Sequence, residues 1–489
     1  MNRLRAASAA LVAGCIAWGG LALMPAPARA AQTRAFVLAT DFATGTLSSV
    51  AFGAPPVASN NVAATCADAV LHHHQGWLYV VERFGCDNIR VLDPANGFSI
   101  VRQFSVGNGA NPNDIAVVSP SRAYITRYET ADLWIVNPST GAYLGSISLA
   151  AFADADGIPE MNRLAVRNGR VFVTLQRVDR DRFFSPTDSS QVVVIDVATD
   201  TLVDCDPDAP GVQGIILPFQ NPTTEIVTDG AGRLVVGCTG AYGVTDGGIV
   251  RLDPVALTVE AAEITEAALG GDIVDVAIGS ATRGFAVIGD ALFNTLCRPY
   301  DRASGVAAPP LYATAGFHLA DAEVSDSGVL WLADRTPANP GLRRFDALTL
   351  APLGAGPVST GLPPQDIEFD GSAPVEVGPA PGDAGVAGPA VFFAGAWPNP
   401  SRGEVALRLR LSAAAAAARL RVLIFDAAGR RVRLLEPARS IDAEAEITVP
   451  WDGRDDAGRP VAPGVYGIRA EAAGVVAAGR LVRLPSERL

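Results

Sequence analysis

The chain has 489 residues, more than one compact core accommodates, so two or three domains are expected. Its formal net charge of −13 excludes nucleic acid or an anionic membrane surface as the main partner. Apolar residues make up 49% and charged ones only 18%, with 49 Gly and 35 Pro, a mix that suits a turn-rich β protein. No lysine occurs anywhere, which excludes Schiff-base and phosphate-loop lysine chemistry.

The N-terminus reads as a secretory signal over residues 1–30. "MNRLR" is a basic n-region, residues 6–24 are an apolar core, and "PAPARA" ends in the small-x-small pattern of Ala28 and Ala30. Val12-Ala13-Gly14-Cys15 also resembles a lipoprotein cleavage box, with lipidation at Cys15 as the rival outcome. The apolar run continues well past Cys15, which favours cleavage after Ala30. No second apolar stretch is long enough to span a membrane.

From about residue 34 to 370 one pattern returns. A polar or acidic residue opens a short apolar strand, as in "CADAVL", "PNDIAV", "MNRLAV", "TTEIVT", "IVDVAI", "DAEVSD" and "PQDIEF". A second strand follows ("WLYVVER", "RAYITRY", "RVFVTLQ"), then a third ending in Asp or Asn and a turn ("NIRVLDPANG", "DLWIVNPSTG"). The column of opening residues is Asp68, Asp114, Arg163, Glu225, Asp275, Glu323 and Asp366, with gaps of 46, 49, 62, 50, 48 and 43. That period predicts a seven-bladed β-propeller over residues 31–371. The last opening strand lacks a successor, and "RAFVLATD" at residues 34–41 has the second-strand pattern. The N-terminal strands are therefore expected to pair with residues 366–370 and close the ring, removing exposed sheet edges.

"LYVVERFGCDNIRVLDPANG" followed by "VGNGANPNDIAVVSPSRAYITRY" resembles the YVTN-type repeat propellers. The resemblance implies the fold and leaves the function open, because propellers host binding, scaffolding and several unrelated enzymes.

Blade strands alternate direction, so the opening column shares one face with the ends of the second strands. That face, the channel mouth, is expected to carry Glu82, Arg83, Phe84, Arg127, Tyr128 and Arg335 beside the column. Residues 179–190 form a long loop there, and Phe183 and Phe184 are unusual in so polar a segment, so a ligand or partner is expected to dock on this face. Clustered carboxylates attract hard cations such as Ca²⁺. A role repeated in every blade is more often architectural, each acid accepting backbone N–H groups of its neighbour. Gluconolactonase-like propeller hydrolases hold a divalent metal with Glu, Asn and Asp. Glu225, Asp275 and Asn113 offer those residue types without the motifs of that family.

His72, His73 and His74 are expected in a solvated turn on the opposite face; no Ser–His–Asp or Cys–His arrangement is legible around them. After signal removal five cysteines remain. Cys66 and Cys86 flank the first two strands of the first blade on the mouth face and are expected to pair. Cys205 with Cys238 is a further possible bridge, and Cys238 with Cys297 its competitor.

Residues 372–390 are a Gly/Pro/Ala linker. Residues 391–489 then show alternation at Val405, Leu407, Leu409 and Leu411 and a hairpin at "ARLRVLIFDAAGRRVRLL". Short strands of this kind in so compact a segment suit a small β-sandwich. "WDGRDDAGRPVAPGVY", residues 451–466, brings together Asp452, Asp455 and Asp456, which suit either a metal site or plain turns. The order of Pro398, Asn399, Pro400, Asp426, Gly429, Trp451, Asp452, Gly453, Asp455, Gly458, Gly464, Val465 and Tyr466 resembles the immunoglobulin-like domain of flagellar hook-capping proteins. It is also similar to the C-terminal sorting domains of proteins exported by type IX secretion. The resemblance implies export, surface attachment or assembly, and turns at the three aspartates. A poly-Ala run, residues 413–418, stands where the family has polar residues.

Together these features predict an all-β, bacterial, secreted or outer-membrane-associated surface protein. Its propeller is expected to bind a protein, carbohydrate or other polar partner, with no cofactor unless Ca²⁺. A metal-dependent, lactonase-like hydrolase is the alternative.

Overall fold

The computed structural model describes residues 31–182, 184–371, 391–397, 401–411, 419–426, 430–437, 445–472 and 475–484. The expected signal, the linker, Phe183, Pro398, Asn399, Pro400, the poly-Ala run and Gly429 lie outside the described residues. The chain divides into two compact units, with the boundary between residues 378 and 379.

Among the described residues the first unit has seven antiparallel sheets arranged as blades, with a further two-stranded ribbon, Val178–Asp179 with Ser185–Pro186, in the blade 3 loop. The innermost strands of the blades are Ala69–His74, Pro112–Ser119, Met161–Arg167, Val227–Thr228, Asp272–Ile278, Leu319–Val324 and Pro364–Phe369. Blade 7 is completed from the other end of the chain. Arg34–Thr40 pairs with Pro364–Phe369, placing Val37 opposite Ile367, and Gly45–Ala51 and Val57–Thr65 follow outward. Asp370 strengthens this seam by accepting the Thr33 and Arg34 N–H groups at 2.6 and 2.8 Å.

Local chemistry explains each blade. The second strands, such as Trp77–Glu82 and Arg170–Leu175, are buried on both faces because neighbouring blades cover them. They therefore carry continuous Val, Ile, Leu and Tyr runs instead of alternation. Third strands end in Asp or Asn because that side chain folds the next turn. Asp196 accepts the Ala198 and Thr199 N–H groups, Asp301 those of Ala303 and Ser304, and Asp346 those of Leu348 and Thr349. Between blades the sheets share apolar clusters, for example Tyr124, Leu133, Leu164 and Val193. One buried ionic knot joins blades 4 and 5: Arg302 donates to Glu263 and to Asp229, and Tyr300 also donates to Glu263.

Cys66 and Cys86 form a disulfide, with Cα atoms 6.7 Å apart. Cys205, Cys238 and Cys297 are free, so neither bridge considered for Cys238 exists. Cys238 sits in the apolar layer between blades 3 and 4, and Cys205 packs against that same layer without bonding to it. Cys297 is enclosed in a separate cluster with Phe285 and Leu332.

The second unit is a two-sheet β-sandwich. One sheet has Val391–Trp397, Val405–Leu411 and Ala445–Trp451; the other has Arg431–Leu435, Arg421–Phe425, Gly464–Ala472 and Val475–Arg483. Leu407, Leu409, Val422, Ile424, Ile468 and the fully buried Trp451 fill the space between them. Among the described residues, no helix is long and apolar enough to cross a membrane.

Candidate functional site at the channel mouth

The innermost strands carry the channel residues, and their register decides what each acid does. Asp366 of blade 7 accepts the Leu71 N–H of blade 1 at 2.8 Å. Asp114 of blade 2 accepts Leu164 N–H of blade 3 at 2.7 Å. Asp275 of blade 5 accepts Ala322 N–H of blade 6 at 2.8 Å, and Asp321 of blade 6 accepts Ile367 N–H of blade 7 at 2.6 Å. Each aspartate thus clamps the next blade, always at the residue after that blade's own column position. This spacing defines the column as Val70, Asp114, Arg163, Glu225, Asp275, Asp321 and Asp366.

Two sequence assignments move accordingly. Asp68 and Glu323 each lie two residues from the column position, an in-phase slip that a period of two conceals. Asp68 stands at the rim, its side chain half exposed, 3.2 Å from Arg83. Glu323 lies further along the channel, two residues beyond Asp321, as Glu368 lies beyond Asp366 and His72 beyond Val70.

The histidines differ from expectation. The turn is Gln75-Gly76, both with positive φ, so the strand continues through His74, which pairs with Trp77. His72 enters the channel and bonds Asp114 through Nε2. Burial disfavours its charge, yet Asp114, then Glu225 and Glu368, outweigh this and raise it to about 10. Asp114 is buried too, but His72 and Arg163 hold its carboxyl below the usual range. His74 is pushed down to about 4 by burial and by its two histidine neighbours.

The mouth opens on a polar cavity of about 90 Å³, lined by Asp68, Arg83, Arg163, Glu225, Asp275 and Asp366, with Asp321, Thr223 and Gln365 beside them. Arg163 donates to Glu225 at 3.1 Å. Asp275 and Asp321 meet on one backbone N–H, that of Ala322, at 2.8 and 2.9 Å. Burial raises both carboxyls, Asp275 to about 7 and Asp321 well above its ordinary value, Asp321 further through the Asp275 charge beside it. Asp366 is raised well above its ordinary value by burial and then by Glu225 and Asp321. Burial, then Asp321 and Glu225, does the same to Glu323.

Other residues assigned to this face are engaged elsewhere. Arg127 donates to Val106 O at 3.0 Å and lies over Trp134. Arg335 binds Gln365 and Thr40 O and covers the Phe42 ring. Glu82 holds Cys66 N–H, Asn88 and Arg90. Tyr128 donates to Gln176 at 2.6 Å. Phe184 is exposed on its loop. Asn113 is buried outside the cavity lining, so it does not join Glu225 and Asp275. Among the described residues, no group of three His, Cys, Asp or Glu is arranged to hold a metal ion.

In the sandwich, Asp452 accepts Arg454 N–H at 3.0 Å, Asp455 accepts Ala457 and Arg459 N–H at 2.9 and 2.8 Å, and Asp456 accepts Leu434 N–H at 3.0 Å. All three are turn and strand-tying residues, helped by Gly453 and Gly458 at positive φ.

Fold and site together define a seven-bladed β-propeller followed by an immunoglobulin-like sandwich. Residues 397–474 match the model of the FlgD Ig-like domain. No relative among curated proteins matches the chain. Among solved structures, PorZ of Porphyromonas gingivalis, described as an essential bacterial surface component of the type-IX secretion system, is 16% identical at a TM-score of 0.41. That alignment covers 91% of this chain but only 64% of PorZ. A 6-phosphogluconolactonase-like protein from Bacteroides fragilis is 13% identical at a TM-score of 0.46, covering 69% of this chain and 98% of its own. A protein from Lactobacillus plantarum is 11% identical at 0.46, with 69% and 99% covered. At these identities the likeness concerns the fold, and no role is taken from it.

Proposed function

We propose that this is an exported surface or extracellular binding protein. The propeller is its binding module, used at the channel-mouth face, and the immunoglobulin-like domain serves export, attachment or assembly. The observation that carries this reading is the commitment of Asp114, Asp275, Asp321 and Asp366 to backbone N–H groups of adjacent blades. Acids spent on holding the ring do not converge on a reacting centre. The cavity is also well below the roughly 300 Å³ at which small-molecule sites begin. Export is supported by the signal-like residues 1–30 and by the Cys66–Cys86 bridge, which suits an oxidising compartment.

The hydrolase reading draws on the raised carboxyls of Asp275 and Asp321 beside Glu225, since perturbed carboxyls also mark catalytic sites. Metal analysis of the purified mature protein, with and without chelator, separates the two. A binding protein keeps its partner and carries no stoichiometric metal. Tightly held Ca²⁺ whose removal abolishes activity on lactones or esters overturns the binding reading. For the tail, a chain lacking residues 391–489 is expected to fail to reach or stay on the surface; normal display refutes that role.

A further inference from the structure

Of the seven exposed aromatic residues among the described residues, six gather on one face; the seventh, Tyr143, lies on the outer strand of blade 2. Phe42, Phe84, Phe184, Tyr242 and Phe293 lie in the loops that join second to third strands in blades 7, 1, 3, 4 and 5; Phe317 lies in the connection into blade 6. Each is at least 46% exposed. Antiparallel blades place all these connections on the channel-mouth face. Phe293 and Phe317 already touch, ring centroids 5.8 Å apart, linking blade 5 to the blade 6 connection. At the third-to-fourth-strand turns of the opposite face, the exposed large apolar residues are the aliphatic Val255 and Leu348. Single exposed apolar residues need no explanation, but aromatics gathered on one face mark a contact surface.

The centre of that face sets the partner's charge. Both cavity arginines are already paired, Arg83 with Asp68 and Arg163 with Glu225. Among the described residues, Asp275, Asp321, Glu323 and Asp366 have no arginine within ion-pair distance. Aromatic rings and carboxylates share a preference for cations.

We propose that the channel-mouth face receives an extended cationic segment of a partner protein. One arginine or lysine side chain enters the cavity beside Glu225 and Asp366, and the flanking residues pack on the aromatic loops. This rests on the mouth being the binding face, as proposed above. The cavity's size suits the end of one side chain better than a small-molecule ligand. The carboxyls that burial and mutual repulsion keep protonated would release protons to the incoming cation, so affinity rises with pH.

The test uses the full mature chain and a labelled hexapeptide of alternating Arg and Leu, read by fluorescence anisotropy. A Glu/Leu hexapeptide and maltohexaose are the counter-probes. The double variant Asp68→Asn, Glu225→Gln removes no backbone clamp and is expected to weaken Arg/Leu binding about tenfold. Phe84→Ala with Phe293→Ala weakens it several-fold, and Asp206→Asn with Asp208→Asn, on the outer edge of blade 3, leaves it unchanged. Equal loss in that outer-edge control, or equal binding of the Glu/Leu peptide, overturns the proposal. If maltohexaose binds and is lost in the mouth variants while the Arg/Leu peptide does not bind, the mouth remains a binding face and the cationic partner is wrong. Silence of all probes also overturns the cationic partner; the wider binding reading falls only on the metal and activity result given above.

Discussion

Replacing Asp321 by Asn tests whether the channel carboxyls are held by shared protons. Asp321 accepts Ile367 N–H through Oδ2 and meets Asp275 at the Ala322 N–H. An amide imitates a protonated carboxyl toward Ile367 and Asp275, its oxygen accepting and its NH₂ donating, and leaves the Ala322 N–H to Asp275 alone. Burial raises both carboxyls, Asp275 to about 7, so the folded state binds protons that the unfolded chain releases near pH 4. Stability therefore falls as pH rises from about 4 through the folded-state range. Each tenfold gain in proton affinity is worth about 1.4 kcal/mol, which sets a ceiling of roughly 4 kcal/mol for the proton held to about pH 7. Asn does not titrate and removes part of this loss. Urea denaturation followed by tryptophan fluorescence should find the variant within about 1 kcal/mol of wild type at pH 5, and more stable by roughly 1 to 3 kcal/mol at pH 9. A variant destabilised by more than about 2 kcal/mol at both pH values refutes the shared proton and makes Asp321 a charged clamp.

Asp114→Asn is the contrasting case, because His72 needs its charge. The variant should lose roughly 2 to 4 kcal/mol at pH 6 by chemical denaturation. The His72 contribution is fully present below the unfolded value of 6.5 and is lost as pH rises toward 10, so wild type should weaken over that window and Asp114→Asn should not. Arg302→Ala takes the only arginine from the buried Asp229 and leaves Glu263 with Arg251 and Tyr300, and should cost roughly 3 kcal/mol; Arg302→Lys should recover little, since one ammonium cannot serve both Glu263 and Asp229 in the same fork. Removing the bridge with Cys66→Ser and Cys86→Ser, which closes a separation of 20 residues, should lower stability by about 3 kcal/mol, read as the melting shift of the oxidised protein against the variant.

The repeat was legible because its physics is local. Second strands buried on both faces stay apolar throughout, and third strands need an Asx residue to turn, so "NIRVLDPANG" and "QVVVIDVATD" announce themselves. Five of seven column positions followed from that frame. The other two failed for one reason, a slip of two residues that keeps the same sheet face: "ADAEV" offers two acids at that spacing, and in "CADAV" the lone acid stands two residues before an apolar column residue, Val70. Only the N–H that each acid accepts fixes the register, and that partner lies some fifty residues away in the next blade. His72 was missed because three histidines resemble a polar turn. The signal that resolves it was present: Gln75-Gly76 immediately before Trp77 is the two-residue turn, which leaves the histidines in the strand. The free cysteines show a different limit, because cysteines assigned to adjacent blades need not face each other across the layer between them.

The two acidic clusters of this chain separate what an aspartate does from where it stands. Asp455 lies at an exposed turn, where the Arg459 and Ala457 N–H groups and the Arg459 guanidinium hold its carboxyl below the ordinary range. Both of its oxygens are occupied by groups of its own turn. Asp275, Asp321 and Asp366 accept backbone N–H groups too, yet burial and mutual repulsion raise them. An opposite charge brought beside them would favour their ionised form. The bonding pattern alone makes both clusters structural. The difference in solvation sets the channel acids apart and supports the proposal that binding lies with the propeller, with the sandwich acids spent on their own turns.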